Sequence, residues 1–353
     1  MMRAAIVVVA LPAALCAAAP SRDFYRNGTS LPSLGPRPYV SAIVMSYNHK
    51  GNIAKIAELL HAEAGVGEIV VAEDGSTDGS PEAWRAHLAP RDKLVASADV
   101  HEIRAYNGGA RAATGAVYCF LQDDDLPDDA GWAREVLALF EAFRGARLGV
   151  VSGLAAEVCQ VELGEVQVDH PAAMKNAKVT RPLPFVAPDL AGAAPGRGSP
   201  PFAFATEAWL SPLCVRADAW AALGGFDETL SAPGEPGIGL DIHLSLRAAA
   251  DFGFTVGAHG AKFTRGVGGH GTVSDPAKAA LRLRKRNEIS QRIRQVAGCR
   301  WPPEMLTRAA ELNARYLRPR AGAEDQRAAV EAQCKPFLRR PCPPRGQGGR
   351  RPP

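Results

Sequence analysis

Three consecutive carboxylates, Asp123, Asp124 and Asp125, stand directly behind an apolar run in "GAVYCFLQDDDLPDD", residues 115–129. A short run rich in β-formers, with Gly115 before it and Pro127 after it, predicts a buried strand of a parallel sheet. Three like charges at its end repel one another and add nothing to a core. An acidic turn would close such a strand in water. Carboxylate oxygens there also suit a divalent cation or a metal-bound phosphate, because open α/β sheets bind ligands outside the carboxyl ends of their strands.

Other groups fall at comparable places. In "VVAEDGSTDGS", Glu73 and Asp74 end a second apolar run and lead into a turn of Gly, Ser and Asp, which is ordinary turn chemistry. Asp74 at a strand end also suits hydrogen bonds from a nucleotide base or ribose. Asn48 in "SYNHKGN" ends the first run on the same edge. "RAYNGGARAATG" supplies Arg104, Asn107 and a Gly pair that permits close backbone approach to a ligand. Each of these taken singly reads as a turn before it reads as a site.

The elements that must position them alternate. Residues 39–47 and 68–73 are strands, and residues 51–64 between them carry apolar residues at helical spacing. Ser80 and Pro81 make an N-cap and first helical residue for "PEAWRAHLA". "KLVAS" is a strand, and "NGGARAAT" leads into a short helix. The strand ending in the acid cluster follows, then the amphipathic helix "WAREVLALFEAF" and the strand "RLGVVSG". Such alternation predicts an α/β fold, a mostly parallel sheet flanked by helices on both faces. Residues 154–206 are rich in Pro, Ala and Gly with little periodicity, and read as an insertion or a mobile loop over the site. Pattern returns with "PLCVRADAWAALGGFDE", the helix "LDIHLSLRAAADFG" and the strand "FTVGAHG". No repeat is visible.

Taken in order, strand-"SYN", strand-"EDGSTDGS", "NGGARAATG", strand-"QDDDLP", "GGFDE" and a later Asp-x-x-Leu-x-x-Arg resemble the inverting family-two glycosyltransferases of the GT-A fold. The resemblance covers residues 40–272 without the insertion. It implies a Rossmann-like sheet that binds a nucleotide-diphosphate sugar and passes the sugar to a saccharide, protein or lipid acceptor. It also implies a Mn2+ or Mg2+ ion on an Asp-x-Asp-type signature, which maps here to residues 123–125. Asp125 is the leading metal ligand on that basis, with Asp123 a further metal candidate and Asp124 beside them on ribose or metal. Members commonly carry Asp where Gln122 stands, so the ligand position is shifted toward the triplet. The resemblance puts Asp74 on the base, with Asn48, Glu73, Arg104 and Asn107 around the donor.

A general base is needed to take the acceptor's proton. The family places a Glu-Asp pair after "GGFDE"; here that pair reads Leu240-Asp241, which leaves Asp241 as the catalytic candidate, with Arg247 where the family has an Arg. An acid at a helix start also offsets the macrodipole. His270 in "GVGGHGT" matches a position where some members have a metal or phosphate ligand, and equally reads as an exposed loop residue. His243 reads as a packing or solvent residue. Trp209 reads as core rather than as a sugar platform. A nucleotidyltransferase, a non-catalytic saccharide-binding protein on the same scaffold and a structural secreted protein are the rival readings. The first would want a basic Gly-rich loop near the first strand, and the last would not need the acid cluster.

Composition sets the frame. The chain has 353 residues, 46% hydrophobic and 22% charged, enough for a large core. The net charge of +4 is explained by the basic Pro/Gly-rich tail at 335–353, which reads as disordered, and no nucleic acid is expected as a partner. Residues 1–19 have the build of a signal peptide, with an uncleaved short anchor as the alternative, because a membrane span needs roughly 20 apolar residues. Membrane association is expected only if that segment stays. Residues 20–38 form a lead-in with a glycosylation sequon at Asn27, 39–275 the transferase domain, and 276–334 C-terminal basic helices. The chain is expected in the lumen of the secretory pathway or outside the cell. Of seven cysteines, Cys16 lies in the leader, which leaves an even number; Cys119 reads as a buried thiol in a core strand, and the lack of any Cys-x-x-Cys argues against zinc.

Overall fold

The computed structural model describes residues 29–334 apart from 129, 154, 159–160, 166, 169–179, 193–197, 211, 266, 268–283, 285–286 and 289–302. The leader, Asn27, His270, most of the basic segment at 277–296 and the tail at 335–353 lie outside the described residues.

Eight strands build one sheet: β1 (Val40–Ser46), β2 (Val66–Glu73), β3 (Lys93–Ala96), β4 (Val117–Gln122), β5 (Leu148–Ser152), β6 (Phe202–Ala205), β7 (Leu213–Arg216) and β8 (Thr255–His259). Their order is β6-β8-β5-β7-β4-β1-β2-β3. β7 and β6 run against the rest, and the other pairings are parallel. Strands β1, β4 and β5 are buried on both faces, which is why their sequences run apolar without alternation. The helices are α1 (Lys50–Ala62), α2 (Ser80–His87), α3 (His101–Ala112), α4 (Trp132–Ala142), α5 (Ala217–Leu223), α6 (Leu240–Phe252), α7 (Pro303–Tyr316) and α8 (Glu324–Cys334). Chain order reverses at β1, with β2 on one side and β4 on the other. The carboxyl ends of β1 and β4 therefore open a crevice at the switch point of the sheet. Among the described residues no helix is long and apolar enough to cross a membrane.

Four expectations change. Cys119 is not a free thiol. It lies opposite Cys214 in the β4–β7 register and is bonded to it, both side chains fully buried. Directly opposed antiparallel residues bring their Cβ atoms within reach of a disulfide. The Gly pair does not precede a helix but sits inside α3. A Cβ on Gly109 would lie 2.8 Å from Ile43 Cγ2, so the glycine lets α3 press onto β1 instead of exposing backbone to a ligand. Ser80 is the first residue of α2 and not its cap; Gly79 caps it, and Asp78 receives the Ser80 N–H and hydroxyl at 3.0 and 2.6 Å. The stretch 154–206 carries strands of its own. Ala155–Val158, Val161–Glu165, Thr180–Arg181 and Glu207–Ala208 form a second, antiparallel sheet, and Phe202–Ala205 joins the main one as β6. Short strands without a long apolar face leave little periodicity to detect.

Candidate active site at the carboxyl edge of the sheet

The turn after β2 consumes its own acids. Glu73 accepts the backbone N–H groups of Gly75 and Ser76 at 3.2 and 2.7 Å and closes the turn. Asp74 accepts the Ser97 hydroxyl at 2.6 Å, Val100 N–H at 2.8 Å and His101 N–H at 2.7 Å. It is buried and caps the start of α3, where the free N–H groups of a helix favour a carboxylate. Asp78 does the same for α1, taking the Lys50 N–H at 2.9 Å. Asn48 holds a left-handed backbone, φ 56°, and accepts the Thr77 N–H at 2.8 Å, tying the end of β1 to this turn. The turn is a joint for three helices.

Arg104 and Asn107 project from α3 to the segment after "GG". Arg104 donates to the carbonyls of Ser231 and Glu228 at 2.8 and 3.0 Å. The Asn107 amide donates to Phe226 O at 2.9 Å and to Glu228 Oε1 at 3.0 Å, and it accepts the Phe226 N–H at 3.0 Å. Gly225, at φ 82°, leaves room for this, since a Cβ there would stand 2.8 Å from Asn107 Oδ1. Arg247 reaches the same turn from α6 through the carbonyls of Gly225 and Leu223. Beside the turn lies an open cavity of about 590 Å³ lined by Asn107, Arg111, Trp220, Asp227, Glu228 and Arg247 among others. Burial would raise the Asp227 carboxyl, but hydrogen bonds from Thr229 and the nearby charges of His243 and Arg247 hold it below its ordinary value.

The acid cluster divides by exposure. Asp123 is 6% exposed and Asp125 1%, whereas Asp124 is half-buried and the most open of the three. Asp123 Oδ2 accepts the Tyr47 N–H at 2.8 Å, and Oδ1 meets His49 Nδ1 at 2.8 Å. The Asp123 hydrogen bond raises the His49 pKa against burial, and the charges of Asp123, Asp124 and Asp78 add to it. The Tyr106 phenol, buried and then further disfavoured as an anion by the carboxylates of Asp125, Glu102, Asp123 and Asp124, is held well above its usual range. The field at this strand end is therefore strongly negative. Asn52 bridges the Asp123 and Val267 carbonyls at 3.0 and 2.7 Å, and Val267 N–H donates to Asp124 O at 3.0 Å, which holds Val267 against the cluster.

Asp241 stands in the first turn of α6. Its Oδ2 accepts the Leu210 N–H at 2.9 Å. Leu210 lies three residues ahead of Leu213, which pairs with Phe120 of β4 and Ser152 of β5, so Asp241 is fastened to the carboxyl edge that carries the acid cluster. His243 is buried, 3.9 Å from Asp227. Trp209 is partly buried against the core, its indole N–H on Glu207 Oε1 at 2.7 Å, in line with the core reading.

Two residues at this edge were not singled out by sequence reasoning. Tyr47 is 41% exposed and is the one large hydrophobic side chain so exposed among the described residues. It follows β1 directly, where a core strand gives way to the crevice, and that juxtaposition was the available signal. His49 carried no signal, because its partner lies 74 residues away.

A Rossmann-like α/β sheet thus carries acids, an amide and an exposed ring at its switch point, where open α/β sheets bind ligands. Residues 41–151 match the family model Glycosyl transferase family 2. Among solved structures, the mannosyltransferase PcManGT from Pyrobaculum calidifontis, determined in complex with GDP-Man and Mn2+, is 17% identical over 90% of this chain and 87% of that chain, with a TM-score of 0.41. TarS of S. aureus is 14% identical over 64% of this chain and 36% of that chain, TM-score 0.41. A mycobacterial protein is 12% identical over 72% of this chain and 74% of that chain, also at 0.41. No curated protein matches the sequence.

Proposed function

We propose that the chain is a glycosyltransferase that moves a sugar, with inversion, from a nucleoside-diphosphate donor to an acceptor hydroxyl, with Mn2+ or Mg2+ at the acid cluster. The observation that carries the proposal is the placing of the exposed Tyr47 ring and the half-buried Asp124 just beyond the ends of adjacent strands β1 and β4. A flat aromatic face suits a nucleobase, and a hard oxygen donor beside it suits the diphosphate through a cation. This assigns the base to Tyr47 in place of Asp74, whose carboxylate is spent on α3.

The donor set fits such a cation. Among the described residues no three acidic, His or Cys side chains form a metal cage. Mg2+ and ions like it commonly take one or two carboxylates and fill the rest of their shell with substrate phosphate and water. Asp124 would hold it, with the buried Asp123 and Asp125 adding negative field behind. When bound, the cation neutralises charge on the departing diphosphate. Asp241 takes the proton of the acceptor hydroxyl while that oxygen attacks the anomeric carbon. The new glycosidic C–O bond forms as the bond to the diphosphate oxygen breaks, and the nucleoside diphosphate leaves with the electron pair. The acceptor is a saccharide, protein or lipid hydroxyl.

We further place the protein in the secretory lumen. The signal-like leader and the Asn27 sequon support this, as does the buried Cys119–Cys214 bridge, since such bonds persist in oxidising compartments.

Purified protein incubated with Mn2+ and a panel of UDP-, GDP-, dTDP- and CDP-sugars should release free nucleoside diphosphate from at least one donor, and Asp124→Asn should suppress that release. A panel without release, and without any thermal shift on adding the nucleotides, would falsify the donor reading.

A further inference from the structure

We propose that His49 is a positioning residue for donor binding, clamping the turn that carries Tyr47 to the acid cluster through Asp123; this rests on the glycosyltransferase reading above. Every polar atom of Asp123 is engaged by the segment running from Met45 to Asn52. Its N–H donates to Met45 O at 3.1 Å, its carbonyl accepts Asn52 Nδ2, and its two carboxylate oxygens meet Tyr47 N–H and His49 Nδ1, each at 2.8 Å. Asp123 is thus a joint between the ends of β1 and β4, with the half-buried Asp124 next to it in the chain.

His49 has no other employment. It occupies the cap position of α1 yet its side chain makes no cap bond. Its Nε2 is buried with no hydrogen-bond partner. An orphaned buried nitrogen lowers stability. Stability alone does not favour the imidazole. Breaches of this kind without local compensation concentrate where function constrains the residue. The function available here is registration. Tyr47 and Asp124 flank the joint in sequence, and a donor that engages both at once gains affinity only if their spacing is set before it binds.

The test uses the full chain and whichever of UDP, GDP, dTDP or CDP the wild type binds in Mn2+, followed by calorimetry, with the matching nucleoside monophosphate alongside. His49→Ala should weaken the diphosphate by about 10- to 100-fold, the usual effect of removing a partner that orients a ligand. It should barely change the monophosphate, raise the donor KM, and leave kcat at saturating donor unchanged. His49→Asn, whose amide N–H can donate to Asp123 in place of Nδ1, should restore diphosphate affinity. Wild-type diphosphate affinity in His49→Ala overturns the clamp. So does an equal loss for monophosphate and diphosphate, or a His49→Asn protein as weak as His49→Ala. A wild type that binds none of the four nucleotides removes the donor reading and the clamp with it, whereas indifferent variants of a binding wild type remove the clamp alone.

Discussion

Asn107 pairs its side-chain amide with both backbone groups of Phe226, donating to the carbonyl at 2.9 Å and accepting from the N–H at 3.0 Å. The pair joins residues 119 apart, and it holds the turn from which the chain proceeds to α6 and Asp241. Asn107→Asp keeps the shape but loses the donor, setting a carboxylate oxygen against a carbonyl. Urea unfolding should show a loss of about 1–3 kcal/mol, the cost of leaving a buried polar group unmatched. If Asn107 instead contacted the donor, the variant would keep its stability and lose nucleotide affinity.

Glu68 gives a pH dependence. Burial alone would raise its carboxyl, but hydrogen bonds from Lys93, Ser41 and Thr114 outweigh that and hold it below the ordinary glutamate value. The folded protein therefore releases this proton more readily than the unfolded chain does. The stabilisation is complete above the ordinary glutamate range and is lost as pH falls through the lowered folded value. Glu68→Gln should be less stable than wild type near neutrality, and the gap should close on acidification to about pH 3. A gap that stays constant over that range would mean the carboxylate's charge contributes nothing.

Much of this molecule is legible in its residues, and the failures share a cause. The apolar runs of β1, β2 and β4, and the place of the acids at their ends, follow from local pattern, because burial on both faces leaves no other use for such runs. What the acids do is settled at long range. Asp74 lies in a turn that equally suits a ligand or a helix cap, and the cap bonds it makes come from Val100 and His101, far along the chain. Tyr47 looks like one more residue of a core strand until the strand ends one position earlier. The Cys119–Cys214 pairing depends on β7 inserting antiparallel between β4 and β5, which no local signal near either cysteine specifies.

That bridge spans 95 residues. Closing a loop of such length restricts the unfolded chain, and replacing both Cys119 and Cys214 by Ala should cost about 4–5 kcal/mol on the chain-entropy model. Peptide mapping without reductant should recover Cys119 joined to Cys214. Protein that is denatured, unreduced and still titrates every cysteine as a thiol would rule the bond out.

The most exposed prediction concerns Asp241. Its carboxylate is fixed by Leu210 N–H at 2.9 Å, at the start of α6 and on the edge that holds the acid cluster. Asparagine at 241 still offers one oxygen to Leu210 N–H but loses the acceptor that Oδ1 presents to Ile242 N–H at 2.9 Å, so Asp241→Asn should fold with a modest loss of stability while losing the ability to take a proton. If Asp241 is the base, kcat should fall by on the order of 10²- to 10⁴-fold, with donor affinity nearly unchanged and the acidic limb of the pH–rate profile gone. Asp241→Ala removes the anchor as well, and should add a loss of stability to the same loss of turnover. Equal losses in donor affinity and turnover for Asp241→Asn would move the residue to the donor side. An Asp241→Asn enzyme that turns over normally would direct attention to Asp227 and Glu228. Asp227 already lies 3.9 Å from His243 on the same helix, and Glu228 lines the open cavity beside it.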